Sequence, residues 1–191
     1  MICLDIEVDK LKVKGAPRTN GSYNSHQIRL DKDYLEIVIP KMEVPYYPKD
    51  TKNSNGETFM REYNLKLVPG NDEPNDRHVK EFVKKLESIR QTIEDLTDIP
   101  IKSPIFTSEV AGSLFSVKIK TKFGTSNFNV NCFDKDGKYV ENMDTSKLKG
   151  HIISGKIKLE RVWSKKDGSN GGLDWVFTQI RDYGLKETKE E

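Results

Sequence analysis

The sequence predicts a mainly β fold with one long helix, arranged as a five-stranded barrel of the OB type with a helical insertion. Three observations predict it: apolar and polar residues alternate in several segments, one segment has helical spacing, and glycine-rich turns separate the elements. A length of 191 residues suits one domain of this kind. We expect residues 1–181 to form that domain, the insertion to lie at about 72–96, and residues 182–191 to form a short charged tail.

The segments before the helix alternate as half-buried strands do. The alternation predicts strands over residues 2–14, 34–39 and 58–68. Residues 15–25 are rich in Gly, Asn, Ser and Pro, which predicts a flexible loop, and residues 49–56 form a polar turn. We expect the second strand to end at Pro40, because proline cannot donate a hydrogen bond to a sheet.

One segment has the spacing of an amphipathic helix. A helix start signal at residues 71–74 precedes apolar residues three and four positions apart, namely Val79, Phe82, Val83, Leu86, Ile89 and Ile93. Lys80 and Lys84 fall on the opposite side. The pattern predicts a helix of about five turns whose apolar stripe packs on the core.

Strand patterns return after a linker-like segment at 97–112 that holds two prolines. They predict strands over residues 113–123, 127–133, 150–163 and 173–180. Asp-Gly chemistry at residues 134–137 predicts a turn, and the loop 165–172 joins the last two strands. That loop is either an ordinary hairpin tip or a mobile clamp over a ligand, since its glycines permit both.

The charge of the chain is segregated along the sequence. The overall formal charge is +2, but residues 1–111 hold 17 basic and 19 acidic residues. Residues 112–181 hold 13 basic and seven acidic residues, and residues 182–191 hold two basic and four acidic ones. A basic block of this kind favours a polyanionic partner, although a solvated strand face also carries lysines.

Several classes of function are disfavoured by the sequence. No apolar run approaches a membrane span, and the first ten residues are too acidic for a signal peptide, so we expect an intracellular protein, in the host cytoplasm or nucleus if viral. Cys3 and Cys132 cannot make a disulfide framework or a zinc site. The three histidines are far apart in sequence, and no phosphate-binding glycine motif precedes the helix. We therefore expect no metal, no cofactor and no enzymatic activity.

Basic and aromatic residues alternate within the basic block. On this basis the candidate nucleic-acid-binding residues are Lys118, Lys120, Lys122, Phe123, Phe128, Lys156, Lys158, Arg161, Trp163, Lys165, Lys166 and Trp175. Single-stranded nucleic acid requires both kinds of side chain, because cations follow the phosphates and flat rings stack on unpaired bases. For Trp163 and Trp175, core packing and base stacking are equally compatible with the pattern.

Six segments of the chain resemble a known family in their order and spacing. They are YLEIVIP (34–40), EFVKKLESI (81–89), VKIKTK (117–122), FDKDGK (133–138), GKIKLERVW (155–163) and GLDWVFTQI (172–180). In these segments the sequence resembles the OB-fold single-stranded DNA-binding proteins of large DNA viruses, which are similar to the replication protein of T7-type phages. The resemblance covers residues 34–181.

The resemblance implies a function and a surface for it. It implies a protein that coats single-stranded DNA in replication, recombination or repair, forms a homo-oligomer, and recruits a DNA polymerase or a helicase–primase. The implied binding surface comprises residues 117–122 and 155–181. One feature departs from the phage proteins, whose acidic tail is long: here Lys186 and Lys189 dilute a short tail.

Two other functions are compatible with the same residues. A protein–protein adaptor or virion component could use the barrel without nucleic acid, and an RNA-binding factor could use the same cations and rings. Because one fold supports many functions, the predicted barrel does not choose among them. Single-stranded DNA binding is the leading hypothesis because basic and aromatic residues coincide.

Overall fold

The computed structural model describes residues 8–31, 33–67 and 73–186, except the side chains of residues 73–75. The strands are β1 (Leu11–Val13), β2 (Arg18–Asn20), β3 (Tyr23–His26), β4 (Ile28–Leu30), β5 (Asp33–Tyr34), β6 (Glu36–Glu43), β7 (Lys49–Lys52), β8 (Thr58–Lys66), β9 (Ile105–Ser108), β10 (Gly112–Lys120), β11 (Asn131–Phe133), β12 (His151–Lys165) and β13 (Gly171–Leu185). The helix α1 spans Glu73–Thr97, and 3₁₀ turns span Val8–Lys10 and Thr145–Lys147.

Five of these strands close into a barrel. β6 pairs with β8, β8 with β10, β12 with β6, and β12 with β13, all antiparallel. A parallel pairing of β10 with β13 completes the ring. The remaining strands attach to its edges or, as β1, β4 and β5 do, form a small separate sheet. The predicted mainly β fold of the OB type is confirmed.

The helix covers the core with the face that its spacing predicts. Val79, Phe82 and Leu86 are buried, and the ring of Phe82 packs edge-to-face on Phe115 of β10 at 5.5 Å between centroids. The prediction of a helix is therefore confirmed, but its 25 residues make about seven turns and not five. Residues 71 and 72 of its start signal lie outside the described residues. In the described part of the chain, no helix is long and apolar enough to cross a membrane.

The prediction that a strand ends at Pro40 is wrong. β6 continues through this proline to Glu43. Its pairing with β12 shifts register here, because Ile39 lies opposite Gly155 whereas Met42 lies opposite Ile153. The irregularity places Pro40 where the sheet needs no donor, which is one of the positions where a strand tolerates proline.

Several segments expected to be irregular form short strands. The predicted loop 15–25 is a hairpin of β2 and β3, with Gly21 in the left-handed region at its turn, and β3 pairs with the end of β12. Likewise β7 forms within the predicted turn 49–56, and β9 forms within the linker 97–112. These strands pair at sheet edges, where polar side chains can stay in water.

Two predicted strands are shorter than the alternation indicates. Of residues 2–14, only Leu11–Val13 form a strand, the 3₁₀ turn precedes it, and residues 2–7 lie outside the described residues. Of residues 127–133, only Asn131–Phe133 form a strand. The turn predicted at 134–137 is present, since the Gly137 amide donates to the Asp134 carbonyl.

We expect Gly155→Ala to destabilise the barrel severely. A Cβ at Gly155 would lie 2.0 Å from the carbonyl oxygen of Gln179 in β13, and β6 on the other side leaves the backbone no room to move. Overpacking of this kind costs about 3 kcal/mol of unfolding free energy, measurable by urea denaturation. The control is Gly168→Ala, which meets no atom within 4 Å and carries only left-handed backbone strain of about 1 kcal/mol. Equal losses in the two variants would contradict the steric account.

Candidate nucleic-acid interface

The outer faces of β10, β13 and β12 form one surface that carries basic side chains, here called the basic face. Its cations are Lys118, Lys120, Lys156, Lys158 and Arg161. β13 lies between the other two strands, so that Lys118 and Lys158 both pair opposite Val176. The lysines of β10 and those of β12 are therefore neighbours on one side of the barrel.

A cleft of about 270 Å³ lies between the basic face and the β2–β3 hairpin. It is lined by Asn20, Tyr23, Asn24, Ser25, Lys118, Arg161, Trp163 and Asp174. The ring of Tyr23, half exposed, meets the ring of Trp163 edge-to-face at 5.6 Å between centroids. The Trp163 ring can lie against β13 because residue 172 is glycine: a Cβ there would be 2.7 Å from Trp163 Cζ2.

A buried carboxylate holds the two cations of the cleft. Asp174 is 5% exposed and accepts hydrogen bonds from Lys118 Nζ at 2.9 Å and from Arg161 Nε at 2.5 Å. Burial alone would raise the pKa of Asp174, but the two cations outweigh it, and the pKa lies below its ordinary value. Asp174 is therefore ionised at neutral pH, and the three groups together carry one positive charge.

The next lysine of β10 is neutralised differently. Lys120 forms an ion pair with Glu160 of β12, and both side chains are 31% exposed. This pair has no net charge. The outward lysines of β10 are therefore not equivalent, although their spacing in the sequence is identical.

A second groove, of about 580 Å³, lies beyond Lys120 at the end of β10. It contains Lys122, the fully exposed ring of Phe123 and the partly exposed ring of Phe59. Lys118 lines the first cleft and Lys120 the second, and residues two apart on a strand are separated by about 7 Å. The two grooves therefore follow one another along β10, and together they are here called the track.

The other candidate residues lie apart from this track or beneath it. Trp175 is 1% exposed and packs against Phe115, so its ring cannot stack on a base, and we omit it from the interface. Phe128 is partly buried beneath the Arg61 guanidinium, 5.0 Å from its ring centroid. Lys165, the last residue of β12, and Lys166, which follows the strand, are exposed beyond Trp163.

Sequence reasoning missed three exposed rings. Tyr23 lies in a segment assigned to a loop, and its only signal was an isolated aromatic among polar residues. Phe59 belongs to an alternating segment but is 40% exposed. Tyr34 packs between Arg29, whose guanidinium carbon is 3.4 Å from the ring centroid, and Lys158, whose Nζ is 4.8 Å from it. No periodic pattern in the sequence marks these three rings as exposed.

The chain resembles known proteins in structure but not in sequence. No protein-family model matches the chain, and no curated protein sequence matches it significantly. The solved structure of gp2.5, a single-stranded DNA-binding protein encoded by bacteriophage T7, matches 83% of this chain and 91% of its own, with a TM-score of 0.51 and 15% identity. The single-stranded DNA-binding protein from bacteriophage Enc34 matches 94% of each chain, with a TM-score of 0.51 and 13% identity.

A structure of the Enc34 protein in complex with single-stranded DNA is also similar. It matches 93% of this chain and 99% of its own, with a TM-score of 0.51 and 14% identity. At such identities the likeness is one of fold. The chain has the fold of phage single-stranded DNA-binding proteins, and the resemblance found in the sequence is confirmed at that level.

Proposed function

We propose that the protein is a non-enzymatic, sequence-tolerant single-stranded DNA-binding protein. The observation that carries the proposal is the cleft in which the rings of Tyr23 and Trp163 lie beside Lys118 and Arg161. Unpaired bases stack on such rings, and the cations bind the phosphates between them. The track along β10 extends the surface to the ring of Phe123.

The chemistry of the cleft favours single strands over duplexes. Stacking on Tyr23 or Trp163 needs the free face of a base, which a duplex keeps covered by neighbouring base pairs. Ring and phosphate contacts also read no base edge, so binding is expected to tolerate any sequence. Fold similarity to phage proteins named for single-stranded DNA binding supports the same proposal.

We further propose that the protein acts in DNA replication, recombination or repair, including that of viral DNA. Single strands are exposed in all three processes. Coating them requires copies side by side, so a homo-oligomer on the strand belongs to this proposal, and a DNA polymerase or helicase–primase is the proposed protein partner. The phage origin of the structurally similar proteins supports this role.

We expect oligo-dT to quench tryptophan fluorescence through Trp163 alone. Trp163 lines the cleft, whereas Trp175 is buried in the core. In a titration at two salt concentrations, quenching should persist in Trp175→Phe and disappear in Trp163→Phe, and binding should weaken as salt rises because phosphate contacts release counterions. Mixed-sequence strands should bind comparably, and duplex DNA much more weakly.

Three other results would contradict the proposal. If neither quenching nor a change in fluorescence anisotropy of labelled oligo-dT occurs, the barrel is better explained as a protein–protein adaptor or virion component. Clearly tighter binding of oligo-rU than of oligo-dT would identify an RNA-binding factor. Strong preference for one duplex sequence would exclude stacking as the main contact.

A further inference from the structure

Asp174 occupies a special position at the back of the cleft. It lies on β13, between the strands that carry its two partners, and its side chain is 6% exposed while that of Arg161 is 45% exposed. An ionised carboxylate is rarely buried unless it is paired. Here it is paired twice, with Lys118 and with Arg161, and both partners line the cleft.

The carboxylate uses only a small part of the hydrogen-bonding capacity of these cations. It binds Arg161 through Nε, and among the described residues the two terminal nitrogens of this guanidinium have no hydrogen-bond partner. Lys118 Nζ gives one of its three N–H groups to Asp174. The remaining donors are the groups that a phosphate accepts in charge-assisted hydrogen bonds.

Two cations this close together repel each other when nothing lies between them. Asp174 offsets that repulsion and holds one end of each side chain in place. Because both side chains are already ordered, binding a ligand costs less side-chain entropy. The Lys120–Glu160 pair on the same face lacks this arrangement, because one carboxylate there meets one cation and no charge remains.

We propose that Asp174 is a positioning residue that aligns Lys118 and Arg161 as a phosphate subsite beside the Tyr23 and Trp163 rings. The ligand is one phosphate group of a single-stranded nucleic acid, and the inference rests on the proposed function. On this proposal the firmest contact with the nucleic-acid backbone lies in the cleft, and not along all the lysines of the basic face.

The test compares Asp174→Asn with Glu160→Gln, since each removes one negative charge from the basic face. At about 0.2 M salt, where long-range attraction is screened, Asp174→Asn should weaken oligo-dT binding about fivefold to tenfold. Glu160→Gln should leave binding unchanged or tighten it. If Asp174 acted by charge alone, both variants would bind more tightly, and the proposal would be overturned.

Two further variants test that Asp174 acts through Arg161. Arg161→Ala should cost less affinity in the Asp174→Asn background than in the parent, and equal costs would contradict the proposal. If Asp174→Asn does not fold, Arg161→Lys decides: it keeps the charge but loses the guanidinium fork, so it should weaken binding, and parental affinity would overturn the proposal.

The outcomes separate this proposal from the proposed function. Parent protein that does not bind oligo-dT at all refutes the function itself, and the positioning role fails with it. Parent protein that binds oligo-dT, together with Asp174→Asn and Arg161→Lys variants that bind equally well, refutes only the role of Asp174.

Discussion

Replacing both Tyr23 and Trp163 with alanine is expected to weaken oligo-dT binding by about two orders of magnitude. Base stacking on an aromatic side chain contributes ~1–3 kcal/mol per base by alanine substitution, and this variant removes both rings of the cleft. Because the two rings touch each other, their separate losses should not add. Fluorescence anisotropy with labelled oligo-dT measures the change.

The control for this prediction is Tyr47→Ala. Tyr47 is 71% exposed, and Lys149 Nζ lies 4.6 Å from its ring centroid, so it also combines a ring with a cation. Tyr47 lies at the opposite end of β12 from Trp163. Val44, three residues before it, accepts a hydrogen bond from the amide of Gly150, which directly precedes β12. This control should bind like the parent. A similar loss in both variants, or none in either, would refute stacking in the cleft.

The parts of the fold that were predictable are those in which one side of an element is buried. In β10, Phe115, Val117 and Ile119 are buried, whereas Lys118 and Lys120 lie on the outer face, as the alternation predicts. The helix follows its apolar stripe in the same way. The β2–β3 hairpin has no such side, since it is held by backbone pairing to β12, and this long-range contact leaves no periodic signal.

The two tryptophans show why the candidate site was only partly predictable. Along β12, Ile157 and Leu159 are buried, and simple alternation would place residue 163 inside as well. A register shift between Leu159 and Arg161 changes the phase, so that Val162 is buried and Trp163 faces the cleft. Such a bulge has no signature in this sequence.

The electrostatics of the site also depended on tertiary structure. Lys118 is 56 residues from Asp174, and Lys120 is 40 residues from Glu160. Only the closed barrel brings β10 beside β13 and β12. The sequence therefore predicted correctly that Lys118 and Lys120 face outward. It did not predict their ion pairs, which leave a net positive charge around Lys118 and none around Lys120.

Replacing Lys118 and Arg161 together with glutamine is expected to reduce both stability and binding. The variant leaves Asp174 buried without a cation, and breaking a buried pair in this way costs about 3 kcal/mol of unfolding free energy. Binding of oligo-dT should fall about a hundredfold, because two phosphate donors are lost and an unpaired carboxylate faces the phosphate. Urea denaturation and anisotropy measure the two effects.

Adding Asp174→Asn to that double variant separates stability from binding. Without its charge, residue 174 no longer needs cations, so most of the lost stability should return. Affinity should stay low, since the donors remain absent. The matched control, Lys120→Gln with Glu160→Gln, removes a partly exposed pair and should change stability by less than about 1 kcal/mol. If the triple variant recovers affinity as well, Lys118 and Arg161 do not hold the phosphate. If the double variant loses no stability, they do not pair with Asp174 in solution.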